Sequence, residues 1–294
     1  MENQKYFLNE LQLKDKNIHI LDPDDGYAEN FGKQWKIYQN VQIDSFNNFN
    51  ISENFLKKII FNELLYLKNK TVLEIGCGSG RFTEHIVKFA KECVSIDMSS
   101  AIYYNVARGS NNLMLIKADF TKLLANKKFD IIICRGMLQH TPDPFKSIEK
   151  LYEFSNTNGE VFFDIYPLPK IGFLHPKYLI WRPFFKTFIK YETLEKFLKN
   201  NINKLLFIKR NIKKIFFNSN FISDLFIPVW DYENKINLTQ EQLKNWSILD
   251  TLDGLYAYYD KPQTNMKIIK FLKKINVTVL KYNKKLSCYS TKNK

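Results

Sequence analysis

Five short apolar runs dominate the middle of the chain: Thr71–Ile75, Cys93–Ile96, Leu113–Ile116, Phe129–Cys134 and Val161–Ile165. Between them, Phe82–Phe89, Ala101–Ala107 and Phe145–Phe154 carry apolar residues at helical spacing. The runs are continuously apolar rather than alternating, which is the pattern of strands buried on both faces. Such strands must be covered by helices above and below, and right-handed crossovers supply them. The expected fold is α/β, a doubly wound three-layer αβα sandwich with a mostly parallel sheet. Ahead of it, Phe55, Ile59, Ile60, Leu64 and Leu67 read as a helix started by Ser52 and Glu53. From Leu168 the alternation stops and gives way to helices and loops rich in Phe, Lys and Asn. Residues 264–275 look helical again, and Val277–Leu280 with Leu286–Tyr289 read as a hairpin. The expected organisation is an N-terminal helical cap (1–70), the core (71–167), a helical insertion capping the acceptor side (168–263), and a last helix and hairpin completing the sheet (264–294).

Several classes are excluded early. At 294 residues the chain buries a core without staples. Its four cysteines, Cys77, Cys93, Cys134 and Cys288, form no CxxC pair, which argues against a disulfide framework or a zinc site and fits a reducing compartment. No metal site is expected. The apolar runs fall well short of the roughly 20 residues of a spanning helix. The start, MENQKYFLNELQLKDK, lacks the basic and apolar regions of a signal peptide. A cytoplasmic protein is the expectation.

The strongest local signal is VLEIGCGSGRFT, residues 72–83. A strand ends in Gly76-x-Gly78-x-Gly80 and a helix follows at once, so bare backbone and free N–H groups face a ligand. Glu74 sits two residues before the first glycine, where it would repel a pyrophosphate and suits a cationic group. The next strand ends in Asp97, placed to accept from both hydroxyls of a ribose. After the third run comes Ala118-Asp119-Phe120, where Asp119 would accept from an exocyclic amine and Phe120 would offer an apolar contact or an N–H to adenine. Singly, Asp97 or Asp119 would be a cap or turn residue and Met98 a core residue. Their order on successive strand ends carries the weight. An adenine, a ribose and a charged amino-acid tail without phosphate describe S-adenosylmethionine.

At LEIGCGSG, SIDMS, KADF and FDIIICRGMLQHTPDP the chain resembles the class I S-adenosylmethionine-dependent methyltransferases. More narrowly it resembles the group with LHHTPDP-like loops seen in quinone-type and polysaccharide-cluster enzymes, together with FGKQWKIYQNVQIDSF and LDTLDGLYAYYDKPQT in its flanks. The resemblance touches residues 31–46, 71–166 and 250–290. It implies a Rossmann-like sandwich and S-adenosylmethionine as cofactor. It further implies that Gly76, Cys77, Gly78 and Gly80 wrap the methionine part and that Glu74 contacts its amino group. Asp97 would hold the ribose, Met98 would pack on adenine, and Asp119 and Phe120 would read its edge. Arg135 would lie beside the methionine tail through its backbone, and Trp35 would close over the cofactor.

Methyl transfer is an in-line displacement, so alignment and exclusion of water are the enzyme's main tasks. A hydroxyl acceptor also needs a base. His140, in Gln139-His140-Thr141-Pro142-Asp143-Pro144, is the candidate, because an imidazole suits proton abstraction near neutral pH. The competing reading is that His140 bonds loop backbone and shapes the site. Gln139 departs from the His-His pair common in the group. Cys134-Arg135-Gly136-Met137 stands where amino-methyltransferases of DNA bases carry an Asn/Asp-Pro-Pro-aromatic motif, and Cys134 lacks the flanking proline of a cysteine nucleophile. Tyr256, Tyr258, Tyr259 and Asp260 are candidates for acceptor contacts, the alternative being a loop that only caps the sheet. The expected acceptor is a small molecule, a glycan or a lipid-linked molecule, methylated at oxygen. RNA or protein acceptors, or a non-catalytic cofactor-binding module, are the alternatives.

Net charge enters through its distribution. The chain has 44 basic and 30 acidic residues, and only five of the basic ones are Arg. A phosphate reader would favour Arg for its planar fork, so nucleic acid is not the expected partner. Residues 1–70 carry −1 and residues 71–167 carry 0, whereas 168–263 carry +6 and 264–294 carry +9. Lys267, Lys270 and Lys274 share one helical face. The excess lies in the parts expected to shape acceptor access, which points to an anionic acceptor or anchor. Residues 202–217 are basic and amphipathic, with Leu205, Ile208, Ile212 and Ile215 on one side. That pattern fits either a helix packed on the core or one in peripheral contact with an anionic membrane.

Overall fold

The computed structural model describes residues 5–15, 17–61, 63–233, 238–283 and 287–294. Its strands are β1 (Gln12–Asp15), β2 (Ile18–Ile20), β3 (Thr71–Ile75), β4 (Glu92–Asp97), β5 (Leu113–Lys117), β6 (Phe129–Cys134), β7 (Ser155–Asp164), β8 (Thr278–Asn283) and β9 (Cys288–Lys292). Among the described residues they form one sheet in the order β1-β2-β5-β4-β3-β6-β7-β9-β8. The run from β2 to β7 is parallel, and antiparallel pairs close both edges. The helices of the first half are α1 (Glu29–Tyr38), α2 (Asp44–Asn47), α3 (Ile51–Ile59), α4 (Thr83–Ile86) and α5 (Pro144–Glu153). There follow α6 (Arg182–Phe188), α7 (Tyr191–Ile215), α8 (Asn220–Phe226) and α9 (Gln240–Tyr256), then α10 (Asn265–Lys274). Two compact units result: Met1–Pro167 with Tyr259–Lys294, and Leu168–Tyr258.

The doubly wound expectation holds, and the reason shows in the strands. Leu73, Ile75, Val94, Ile96 and Ile132 face one core cluster, closed by Ile148 and Leu151 of α5 and Ile268 and Leu272 of α10. Val72, Cys93, Leu115, Ile131 and Ile133 face the other, closed by Leu56 and Ile59 of α3 with Leu67 and Ile86. Successive residues point to opposite faces and both faces are dry, so these strands cannot alternate in polarity. The hairpin β8–β9 forms as expected on β7, with Tyr289 stacked on Phe163 at 5.0 Å. Leu286, part of the expected hairpin, lies outside the described residues.

Three local readings differ from the structure. The segment 101–107 is not a helix but a 3₁₀ turn over Ser100–Tyr104. The buried Asn105 donates to Thr83 Oγ1 and accepts from Ala107 N, while Val106 N–H goes to Ser79 O. Those bonds draw the chain out of the helical ladder to brace the glycine loop. Two strands also precede residue 71. β2 is three residues long, too short for its period to be legible, yet it extends the sheet in parallel beside β5. Finally, α3 starts one residue early and stops at Ile59, and its exposed first N–H groups are taken by Asp44 rather than by its own residues. Ser52 N and Glu53 N both donate to that carboxylate, at 3.1 and 2.9 Å.

Asp44 also binds His85 on α4, whose Nε2 lies 3.1 Å from Asp44 Oδ2 and 3.4 Å from Glu84 Oε1. All three groups are buried. Burial opposes the imidazolium, but the two carboxylates outweigh it and raise the His85 pKa from 6.5 to about 9. His85 therefore gives the fold stability that is complete below pH 6.5 and lost as pH rises through about 9. Thermal melting across pH 6 to 10 should show this decline, and His85→Gln should flatten it. An unchanged slope in the variant would remove His85 as the cause.

Candidate active site

Strands β3, β4, β5 and β6 end side by side, and their carboxyl ends carry the candidate residues. After β3 the chain turns at Gly76 (φ +79°) and Gly80 (φ +97°). A Cβ at Gly76 would stand 2.8 Å from Met137, and one at Gly80 would stand 2.6 Å from Asn105, so both backbone angle and space demand glycine. Gly78 N–H donates to Asp97 Oδ2 at 2.7 Å. Trp35, on α1, lays its indole over Gly78, 3.6 Å from where a Cβ would be. Cys77 is buried, and burial drives its thiol pKa well up, so it is inert packing under the loop.

Glu74 is buried beneath this loop. Its Oε2 accepts from Thr83 Oγ1 and Ser95 Oγ, both at 2.7 Å. Its Oε1 is buried without a hydrogen-bond partner. Desolvation pushes the carboxyl up to about 7. An orphaned carboxylate oxygen at a strand end calls for a cation. Asp97, at the end of β4, accepts from Ser99 N and Ser99 Oγ on one oxygen and from Gly78 N on the other. A carboxylate offers about four acceptor directions. One direction on Oδ2 thus remains for a vicinal diol, and a second opens if the Ser99 hydroxyl turns away. Burial raises this carboxyl above its usual range as well.

At the end of β5, Asp119 accepts from Thr121 N and Oγ1, and its own N–H donates to Asp22 at 2.8 Å. The Phe120 ring is buried in the core beside Ile96 and Leu123, so its main chain, not its ring, is what a ligand would meet. Met98 packs against Gly26. The Arg135 side chain is committed elsewhere: it pairs with Asp164 and lies over the Phe55 ring at 3.8 Å. Only its backbone is left toward the glycine loop. Asp164 also receives Gly136 N–H at 2.6 Å.

The loop after β6 holds His140. The ring is buried between Phe31, at 4.9 Å, and Tyr166, at 5.6 Å. Its Nδ1 lies 2.9 Å from the carbonyl oxygen of Tyr259. A carbonyl only accepts, so in the neutral ring Nδ1 carries the proton and Nε2 carries the basic lone pair. The HTPDP motif has a structural share too: Asp143 caps α5 by accepting from Phe145 N and Lys146 N, and Pro144 opens the helix. Gln139 is buried: its side-chain amide donates to Gly136 O at 2.6 Å and accepts from Tyr166 N at 3.3 Å, while its main-chain carbonyl receives Lys261 N–H at 2.8 Å.

The tyrosine candidates part company. Tyr259 belongs to the first unit, and its ring meets Tyr27 at 5.4 Å. Tyr256 is buried in the second unit, where its hydroxyl donates to Ile189 O at 2.8 Å. Tyr258 is exposed, with Lys186 over its ring. Three residues near the strand ends, Tyr27, Lys117 and Asp25, escaped the sequence reading. Tyr27 sits within the field of Asp119, Tyr259, Asp97 and Asp22, and burial drives its hydroxyl pKa up. Lys117, almost wholly buried at the end of β5, binds Asp25 at 3.0 Å and the carbonyls of Met98 and Asp22. Asp25 in turn accepts from Ser100 N and Oγ. The one available signal was the turn cluster Asp22-Pro23-Asp24-Asp25-Gly26, whose acids meet partners more than 70 residues away.

The residues present fit a ligand with an ammonium group, a diol and a flat amine-bearing ring: an orphaned acid, a part-filled carboxylate and bare backbone stand in that order along β3, β4 and β5. Binding such a cation needs Glu74 ionised. Affinity should therefore weaken as pH falls through about 7, approaching tenfold per pH unit, while Glu74→Gln should bind weakly and independently of pH. Titration calorimetry from pH 5.5 to 8.5 measures this, and a pH-independent wild-type affinity would refute it.

Residues 51–199, just over half of the chain, match the family described as "Methyltransferase domain". The chain is similar to a tRNA U34 carboxymethyltransferase of Nautilia profundicola, with 33% identity over 119 residues, covering 38% of this chain and 39% of that one. It is also similar to a ubiquinone biosynthesis O-methyltransferase of Hydrogenovibrio crunogenus, with 31% identity over 104 residues, covering 33% and 43%. The chain thus spans about two fifths of the length of these curated relatives. Among solved structures, the N-methyltransferase NodS from Bradyrhizobium japonicum aligns at 22% identity and a TM-score of 0.35, covering 40% of this chain and 69% of that one.

Proposed function

The chain belongs to the methyltransferase-domain family, the S-adenosylmethionine-dependent class I enzymes, and from that premise we propose that it methylates an oxygen of an anionic small-molecule, glycan or lipid-linked acceptor. S-adenosylmethionine, when bound, supplies a methyl group on a sulfonium that leaves readily. Glu74, Asp97, Asp119 and the glycine loop are the residues that would hold it, with Trp35 and Tyr27 excluding water above the strand ends.

The observation that carries the oxygen reading is the 2.9 Å contact of His140 Nδ1 with Tyr259 O, which assigns the proton of the neutral ring to Nδ1. The basic atom is then Nε2. A hydroxyl is a poor nucleophile until its proton is taken, and His140 would take it as the oxygen attacks. The loop that carries His140 abuts the glycine loop through Met137 and Gly76. Gln139 and Tyr259 are positioning residues in this scheme, because they hold that loop to the 259–261 segment. The anionic character rests on the +6 and +9 of residues 168–263 and 264–294, and Lys267, Lys270 and Lys274 are all exposed on α10.

A second reading, an RNA acceptor, draws on the relative named as a tRNA U34 carboxymethyltransferase. The two separate cleanly. Purified protein is incubated with labelled S-adenosylmethionine and either total RNA or a panel of hydroxylated, acidic small molecules and sugars. Label on an oxygen of a small acceptor, released as S-adenosylhomocysteine forms, is expected. Label on RNA with salt-dependent filter binding would favour the second reading.

A further inference from the structure

Fifteen of the 26 exposed large hydrophobic side chains among the described residues fall in residues 168–226. The same segment holds twelve basic and three acidic residues. Helix α7 shows how the two properties combine. Its packed face is Tyr191, Leu194, Leu198, Ile202, Leu206 and Lys209. Lys209 is drawn inward, where its ammonium donates to Asp224 and to Val229 O. Of the four apolar residues that the sequence groups on one side, Leu205 and Ile212 are half-buried while Ile208 and Ile215 are exposed. Phe197, Ile208 and Ile215 lie exposed with Lys204 along one stripe, at spacings that return to the same helical face.

The end of α7 sharpens this pattern. Lys213-Lys214-Ile215-Phe216-Phe217 closes the helix with two lysines and three exposed apolar side chains. Ile215 is 71% exposed and Phe217 99% exposed. Phe217 and Asn218 both adopt positive φ, +51° and +61°. A left-handed backbone is unfavourable for a bulky side chain. The turn nonetheless closes through Asn218 N–H to Lys213 O at 2.8 Å, with the Phe217 ring held outward. Phe188, ahead of α7, is 72% exposed in the same Lys-rich stretch.

We propose that this face of the helical unit docks on an anionic phospholipid bilayer, with Ile215, Phe216 and Phe217 entering the headgroup boundary and Lys204, Lys213 and Lys214 meeting lipid phosphates. The combination of apolar wedge and lysine rim is what an interfacial helix requires. A second copy of the chain would bring two strongly positive faces together. A nucleic acid would match the lysines and stack on the phenylalanines but would gain little from Ile208 and Ile215, so it is kept as an outcome of the test. The inference goes beyond methyl transfer and does not depend on it, since no cofactor or acceptor enters the test.

The test is co-sedimentation of the full chain with vesicles of phosphatidylcholine alone or of phosphatidylcholine mixed with phosphatidylglycerol. Binding to the anionic vesicles only, weakening as salt rises, is expected. The double variant Lys213→Gln/Lys214→Gln should bind about 30-fold more weakly, at roughly one lysine's contribution each. Phe217→Ser should weaken binding about tenfold with an unchanged melting curve, since the ring is outside the packed fold. Absence of vesicle binding, or equal binding to both vesicle types, overturns the proposal. So does a concentration-dependent dimer abolished by Phe217→Ser without vesicle binding, or RNA binding that Phe217→Ser leaves intact while vesicles are ignored.

Discussion

Asp97→Ala should weaken S-adenosylmethionine binding at least about 100-fold. A hydrogen bond to a charged partner contributes about 1.5–3 kcal/mol, and the substitution removes two classes of them at once. One class would be direct, from the ribose hydroxyls of the bound cofactor to the carboxylate. The other is internal: Asp97 holds Gly78 N–H at 2.7 Å and Ser99 N–H at 2.8 Å, so it also shapes the loop around the methionine part. Asp97→Asn keeps one acceptor oxygen and should lose less, about tenfold. Titration calorimetry on both variants reads the difference directly. An alanine variant within threefold of the parent would mean that the ribose is held elsewhere.

His140→Ala should lower kcat by about 10²–10⁴-fold with the true acceptor, the usual span for loss of a general base. Cofactor affinity should stay within about twofold, because His140 touches Phe31, Tyr166 and Tyr259 rather than the glycine loop. The remaining activity should rise steadily with pH as the acceptor hydroxyl ionises unaided. A purely architectural role predicts something else: altered melting and KM, with the shape of the pH profile preserved.

The legibility of this molecule in its sequence follows the length scale of the forces involved. The parallel strands were plain because each is largely apolar on both faces, lying between Ile148, Leu151 and Leu272 on one side and Leu56, Ile59 and Ile86 on the other. The glycine loop was plain because positive φ and the closeness of Met137 and Asn105 leave few other residues. Contacts distant in sequence were not. Nothing local marks Tyr27 as a neighbour of Asp119, or Asp22 as the acceptor of Asp119 N–H. The helical segment at 101–107 failed because Asn105 found better partners outside it. In α7 the amphipathic pattern was legible, but it left open which side packs: Lys209 is buried while Ile208 is exposed.

Lys117 sets the size of the smallest autonomous piece of this protein. The family match begins at residue 51, which invites trimming the chain there. Such a cut would remove β2 from the sheet edge and Asp25 from the ammonium at the end of β5. A buried charge stripped of its counter-ion destabilises by about 3–5 kcal/mol, a large part of what holds a domain together. The transplantable module therefore begins before the turn at Asp22, and positions 25 and 117 form a reciprocal pair: among relatives, loss of the acid at one should accompany a neutral side chain at the other.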